Sequence, residues 1–163
     1  LRFHIPTEGE TAAVYDDGVV KATYIPVSPH EGVPHFSVMI EAEGKTLLFT
    51  DACCFKSGRR YLPGDTDWTD CFCPDTEKLR AQLAAAEGDV YLFLHQNLDP
   101  DIRSDHRPGN ADAVNAMLRE NGRVKAVFQG HYHLGNKSEH DGIRYVTFFA
   151  MCENEDAFFT EEL

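Results

Sequence analysis

Apolar positions along this chain come in short bursts set between polar turns, and the character of the bursts changes along its length. Residues 19–27 (VVKATYIPV) are β-branched and aromatic and predict a strand, with Pro26 confining it to a sheet edge or a strand end. Residues 36–41 and 46–50 flank Ala42-Glu43-Gly44-Lys45 and predict a β-hairpin. Residues 56–74, rich in Gly, Pro, Asp and Arg, predict a long loop. A helix follows: Asp75 or Thr76 caps it, Leu79, Leu83 and Ala86 share one face, and Gly88 ends it. VYLFL (90–94) is continuously apolar, as a strand covered on both faces must be. A second helix begins at Asn110, which caps it, buries Val114, Met117 and Leu118, and stops at Asn121-Gly122. VKAVF (124–128), residues 143–149 and residues 157–160 complete the strands. The β-α-β-α-β order predicts an α/β fold, a mixed sheet with covering helices.

Length and composition add bounds. The 163 residues make about one domain, and the 42% hydrophobic and 26% charged content is that of a soluble globular chain. No apolar run is long enough to span a bilayer, so no membrane partner is expected. The formal net charge of −12 argues against nucleic acid as a partner, since phosphate contacts need clustered Lys and Arg. A small phosphorylated ligand stays possible where metal ions supply positive charge locally. The five cysteines include an adjacent pair, Cys53-Cys54, and a C-x-C at Cys71 and Cys73. They read as small thiols in a reducing, cytoplasmic setting rather than a disulfide framework.

Chemistry concentrates in Gly130-His131-Tyr132-His133, directly after VKAVF. In extended backbone, positions i and i+2 point the same way, so His131 and His133 can address one site. A third histidine, His95, follows VYLFL. If the two strands are parallel neighbours, all three imidazoles gather at their C-terminal ends, where open α/β sheets place ligands. Neutral imidazole suits Mn, Fe, Zn or Ni.

With these blocks in order, residues 36 to 163 resemble the C-terminal half of calcineurin-like metallophosphoesterases. The matching pieces are FSVMIEAEGKTLLFTDAC, YLPGDTDWTD, VYLFLHQNL, NADAVNAMLRENGRVKAVFQGHYH and GIRYVTFFAM. The resemblance implies a four-layer α/β-β/α sandwich, with residues 1–34 unassigned and 35–163 forming the C-terminal portion of the domain. It implies two divalent metal ions, one on His95 and His131 and the other on His133, and hydrolysis of small phosphomonoesters or phosphodiesters. A binuclear centre of this kind clamps phosphoryl oxygens and activates water at neutral pH. The family's D-x-H, G-D-x-x-D and G-N-H-[DE] blocks, which carry its carboxylates, do not occur here. Substitution of those ligands by His4, His30, Asp16 or Asp17 is disfavoured against plain surface polarity.

The chain is thus expected to supply histidine ligands and to be inactive alone. The alternatives are a non-catalytic domain that keeps one metal or an interaction role and, more distantly, a metallo-β-lactamase-like hydrolase, suggested by VSPHEG and FSVMIEAEGKTLLFTDA but lacking the H-x-H-x-D-H block. Half of a sandwich would bare an apolar sheet face, which predicts a homodimer through that face. Asp51 reads as a strand-terminal turn residue ahead of a contact to the metal cluster. Residues 61–70, with Trp68 and Asp70, read equally as a site border or a plug of the sheet edge. Asp99, Asp101, Asp105 and His106 read as a solvated loop or the site's rim.

Overall fold

The computed structural model describes residues 10–30, 33–50 and 73–153. Asp51, residues 61–70, the final strand expected at 157–160 and His4 lie outside them. Among the described residues the strands are β1 (Ala12–Asp16), β2 (Val20–His30), β3 (Val33–Ala42), β4 (Lys45–Phe49), β5 (Asp89–Phe93), β6 (Val124–Gln129), β7 (Leu134–His140) and β8 (Ile143–Phe149). They join into one mixed sheet in the order β1-β2-β3-β4-β5-β6-β8-β7. The helices are α1 (Thr76–Ala85) and α2 (Ala111–Asn121). The expected α/β architecture is therefore present, with the three parallel pairs β4-β5, β5-β6 and β6-β8 at its centre and antiparallel pairs on both flanks.

Local chemistry explains most boundaries. The β3-β4 turn places Glu43 at φ 50° and Gly44 at φ 73°, both in the left-handed region that a two-residue hairpin turn of the primed type demands. Asp75 caps α1, its carboxylate accepting from the backbone N–H of Glu77 and Lys78 at 3.1 Å. That helix ends at Ala85, earlier than Gly88, and its last carbonyls are met from outside: Arg123 donates to Leu83 O at 2.6 Å and to Ala86 O. Gly88 instead serves a close approach, since a Cβ there would fall 1.7 Å from Gly44 O. Gly122 closes α2 at φ 71°, as expected. Asn110 departs from expectation: its side chain does not cap α2 but donates to Pro74 O at 2.8 Å. Pro26 pairs with Phe36 beyond the last β1–β2 pair, Ala12↔Tyr24, where β2 has a neighbour on one side alone among the described residues.

The helices cover one face of the sheet. Leu79, Leu83, Val114, Met117 and Leu118 pack against Met39, Leu48, Val90, Leu92, Val127 and Tyr145 to form the main core. The opposite face carries a smaller cluster of Tyr91, Ala126, Phe128 and Val146 with Leu47 and Phe93. Across it the phenylalanine rings of four adjacent strands stack in series. Phe49–Phe93 centroids lie 4.4 Å apart, Phe93–Phe128 4.7 Å and Phe128–Phe148 6.1 Å. Two strands were not foreseen from the sequence, β1 and the polar β7.

Candidate metal centre

The parallel pairing of β5 with β6 brings the residues that follow them to one end of the sheet. Leu94 N–H donates to Phe128 O at 3.0 Å, and Gly130 N–H donates to His95 O at 3.2 Å, so the ladder continues past both strands. Gly130 lies directly against this histidine: a Cβ on it would stand 3.4 Å from His95 Nδ1 and 3.6 Å from His95 O, ordinary van der Waals contact. As a result His95 Nε2 and His131 Nδ1 lie 3.4 Å apart, with their rings nearly perpendicular at 87°.

That separation is informative. It is long for a hydrogen bond. Two nitrogens bound tetrahedrally to one ion at about 2.0–2.1 Å from it stand about 3.3–3.4 Å from each other. His131 is also held neutral, its pKa pushed down to about 4 by burial first and then by the charges of His95, His106 and His133. A neutral imidazole offers a lone pair, which an imidazolium does not. The donor set thus fits a divalent ion between His95 and His131.

The backbone that delivers His131 is not the extended one that alternation assumed. His131 sits at φ 64°, a left-handed conformation seldom taken by residues other than glycine. The segment then turns, with Tyr132 N–H donating to Gly130 O at 2.8 Å and Gly135 N–H to Tyr132 O at 3.1 Å. His133 remains close enough for its charge to depress the His131 pKa. Its own Nδ1 lies 3.0 Å from Glu153 Oε1. His106 reaches the site from the loop beyond β5, its ring 6.2 Å from that of His131 and 5.2 Å from Tyr132.

A buried polar network missed by sequence reasoning sets the height of His95. Gln129 Oε1 accepts from Leu98 N–H at 2.7 Å, and Gln129 Nε2 donates to Asn97 Oδ1 and Thr147 Oγ1, each at 3.0 Å. Asn97 Nδ2 in turn donates to Thr147 Oγ1 at 3.0 Å and Gly130 O at 3.3 Å. All three side chains are buried, so these bonds are unscreened and tie the segment after His95 to β6 and β8. The signal available in the sequence was the amide pair Gln96-Asn97 after an apolar strand, together with Gln129 closing another.

Asp99, expected at a solvated rim, is fully buried. Its carboxylate accepts from Asp101 N–H at 2.9 Å, Ser138 Oγ at 2.8 Å and Asn136 Nδ2 at 2.8 Å, which fastens the loop to β7. Asp99, Asp101 and His140 bring their ligand atoms within 4.8 Å of one another, a second grouping of metal-binding type. His140 Nε2 lies 3.2 Å from Asp101 Oδ1 and 3.9 Å from Asp99 Oδ1. With three donors already on Asp99, this group works first as a structural hub. Of the substitute ligands considered, Asp16 and Asp17 are engaged in the exposed turn before β2, where they accept from the N–H groups of Gly18, Val19 and Val20.

No family model matches the sequence, and no curated protein matches it either. Solved structures do. A dimetal phosphatase from Danio rerio superposes on 80% of this chain and 49% of its own, with a TM-score of 0.54 and 17% identity. GAP50, the anchor in the inner membrane complex of Plasmodium, covers 77% of this chain and 36% of its own at a TM-score of 0.46 and 13% identity. The chain spans about half the length of that phosphatase. At this identity the likeness concerns architecture, and the mixed sheet with its helices shares the fold of part of a dimetal phosphatase.

Proposed function

We propose that this chain is the histidine-bearing part of a metal-dependent phosphoesterase that hydrolyses small phosphomonoesters or phosphodiesters. His95 and His131 hold one divalent ion, of Mn, Fe, Zn or Ni type, and His133 serves a second. The observation that carries the reading is the 3.4 Å approach of His95 Nε2 to His131 Nδ1 at the C-terminal ends of two parallel strands. When bound, such ions supply positive charge for phosphoryl oxygens and acidity for water. The likeness to part of a dimetal phosphatase supports the same assignment. This chain's residues position the ligands: Gly130 N–H donates to His95 O, and Asn97, Gln129 and Thr147 fix the loop behind it.

The absence from the sequence of the D-x-H, G-D-x-x-D and G-N-H-[DE] blocks favours metal binding without efficient turnover by these 163 residues alone. Metal content of the purified chain, measured with and without His131→Ala, together with bis-p-nitrophenyl phosphate hydrolysis in added Mn²⁺, tests both halves. The expected result is His95- and His131-dependent metal uptake with negligible hydrolysis. Rapid, His131-dependent turnover would refute the incompleteness, and metal uptake indifferent to both histidines would refute the site. The sheet face opposite α1 and α2, which no helix covers among the described residues, is the surface through which the chain associates, sheet to sheet, with a second copy.

A further inference from the structure

The turn after β8 offers what the histidine centre lacks. We propose that His133, Cys152 and Glu153 form a distinct zinc-type site, built from imidazole, thiolate and carboxylate and contained in this chain. It rests on the reading above in one respect, that His133 is a ligand, and replaces outside partners for that histidine with two local ones.

The three ligand atoms lie within 4.8 Å of one another, and His133 Nδ1 already stands 3.0 Å from Glu153 Oε1. This proximity comes from the backbone. Leu134 pairs with Phe149 at the open end of the β7-β8 hairpin, and Ala150 N–H donates to His133 O at 3.1 Å. Glu153 N–H then donates to Ala150 O at 3.0 Å, folding residues 151–153 back toward His133. Cys152 is a free thiol, exposed like its two neighbours in the cluster, so an ion has access and the side chains can adjust by rotamer.

The donor chemistry selects the ion. One sulfur, one nitrogen and one oxygen suit Zn²⁺ in tetrahedral coordination, with three protein ligands leaving the fourth position to water. Thiolate ligation excludes Mg²⁺ and Ca²⁺, which require oxygen. A carboxylate and a thiolate at the second centre supply negative charge that a histidine cluster alone does not.

Titration of the reduced full chain with Co²⁺, followed by Zn²⁺ competition, tests this. Cobalt bound to thiolate gives a sulfur-to-metal charge-transfer absorption in the near ultraviolet, which cobalt on imidazoles and carboxylates does not. The expected outcome is that band in the parent protein, its loss in Cys152→Ser, and at least about tenfold weaker Zn²⁺ binding in Glu153→Gln. Both residues are exposed turn positions, so neither variant threatens the core. Absence of the band, or its persistence in Cys152→Ser, overturns the proposal. The paired variant His95→Ala, His131→Ala separates the two readings. If it loses one metal equivalent but retains the band, both centres stand. If it loses an equivalent and the parent shows no band, only the His95–His131 site survives. If it loses none and the band persists, only the His133–Cys152–Glu153 site survives.

Discussion

His131 is the residue on which conformation and chemistry meet. Its left-handed backbone and its neutral ring both go against the ordinary behaviour of histidine, and the fold must sustain both. In the unfolded chain the imidazole titrates near about 6.5. In the folded chain it does so at about 4, because burial and three neighbouring histidines oppose its charge. Between those values the unfolded state binds a proton that the folded state refuses, so acidification through this window destabilises the fold and alkalinisation restores it. Nitrogen-detected NMR titration of the metal-free chain is expected to show His131 still neutral at pH 5. A midpoint near that of free histidine would show that the ring is not desolvated. The meeting of His95 and His131 at one end of the sheet was legible in the sequence, because each follows an apolar strand and those strands pair in parallel. The left-handed turn at His131 was not legible, since no glycine or asparagine marks it.

At the scale of elements, the sequence exposed those strands whose burial writes a pattern. Apart from the exposed Lys125 and the half-buried Phe93, VYLFL and VKAVF are buried and read as apolar runs. β7, LGNKSEH, lies at the sheet edge, mostly solvated, and its pairing with β8 relies on backbone bonds and on the Asp141-Gly142 turn, where φ is 54° and 76°. β1, at the other edge, is half-exposed in the same way. Edge strands of this sort leave little periodicity to read. The Asn97–Gln129–Thr147 network was invisible for another reason: three strands or loops distant in sequence must be placed before their polar ends can be seen to meet. Gln129→Met keeps the volume of the buried side chain and removes its donor and acceptor. It leaves Leu98 N–H without its acceptor, while Asn97 Oδ1 still accepts from Asp99 N–H, at a cost of roughly 2 kcal/mol. Urea denaturation is expected to show that loss together with weaker metal binding, although Gln129 lies behind the site. A loss below about 1 kcal/mol would show that the loop bearing His95 is held by other means.

For the whole molecule, the decisive feature is the asymmetry between the two faces of the sheet. One is sealed by α1 and α2; the other presents the phenylalanine ladder with Phe36 beside it, and Phe36, Phe49 and Phe148 keep 50%, 40% and 37% of their surface exposed. Rings in this state gain about 1 kcal/mol each when covered. A second copy laid face to face would cover three rings on each side, so about 6 kcal/mol is available. The loss of translational and rotational freedom on association is of similar size. Self-association through the ladder should therefore be weak, with a dissociation constant of about millimolar or weaker. Sedimentation of the chain over a wide concentration range is expected to show a monomer–dimer equilibrium, abolished in the pair Phe49→Glu, Phe148→Glu. Those two positions are already partly solvated, so the variant should retain its fold, and its circular dichroism provides the control. A wild-type chain that stays monomeric at the highest concentrations would remove this face as an interface between copies. A tight dimer insensitive to both substitutions would place the interface elsewhere, for instance along the edge strand β7, whose outer backbone groups also await a neighbour among the described residues.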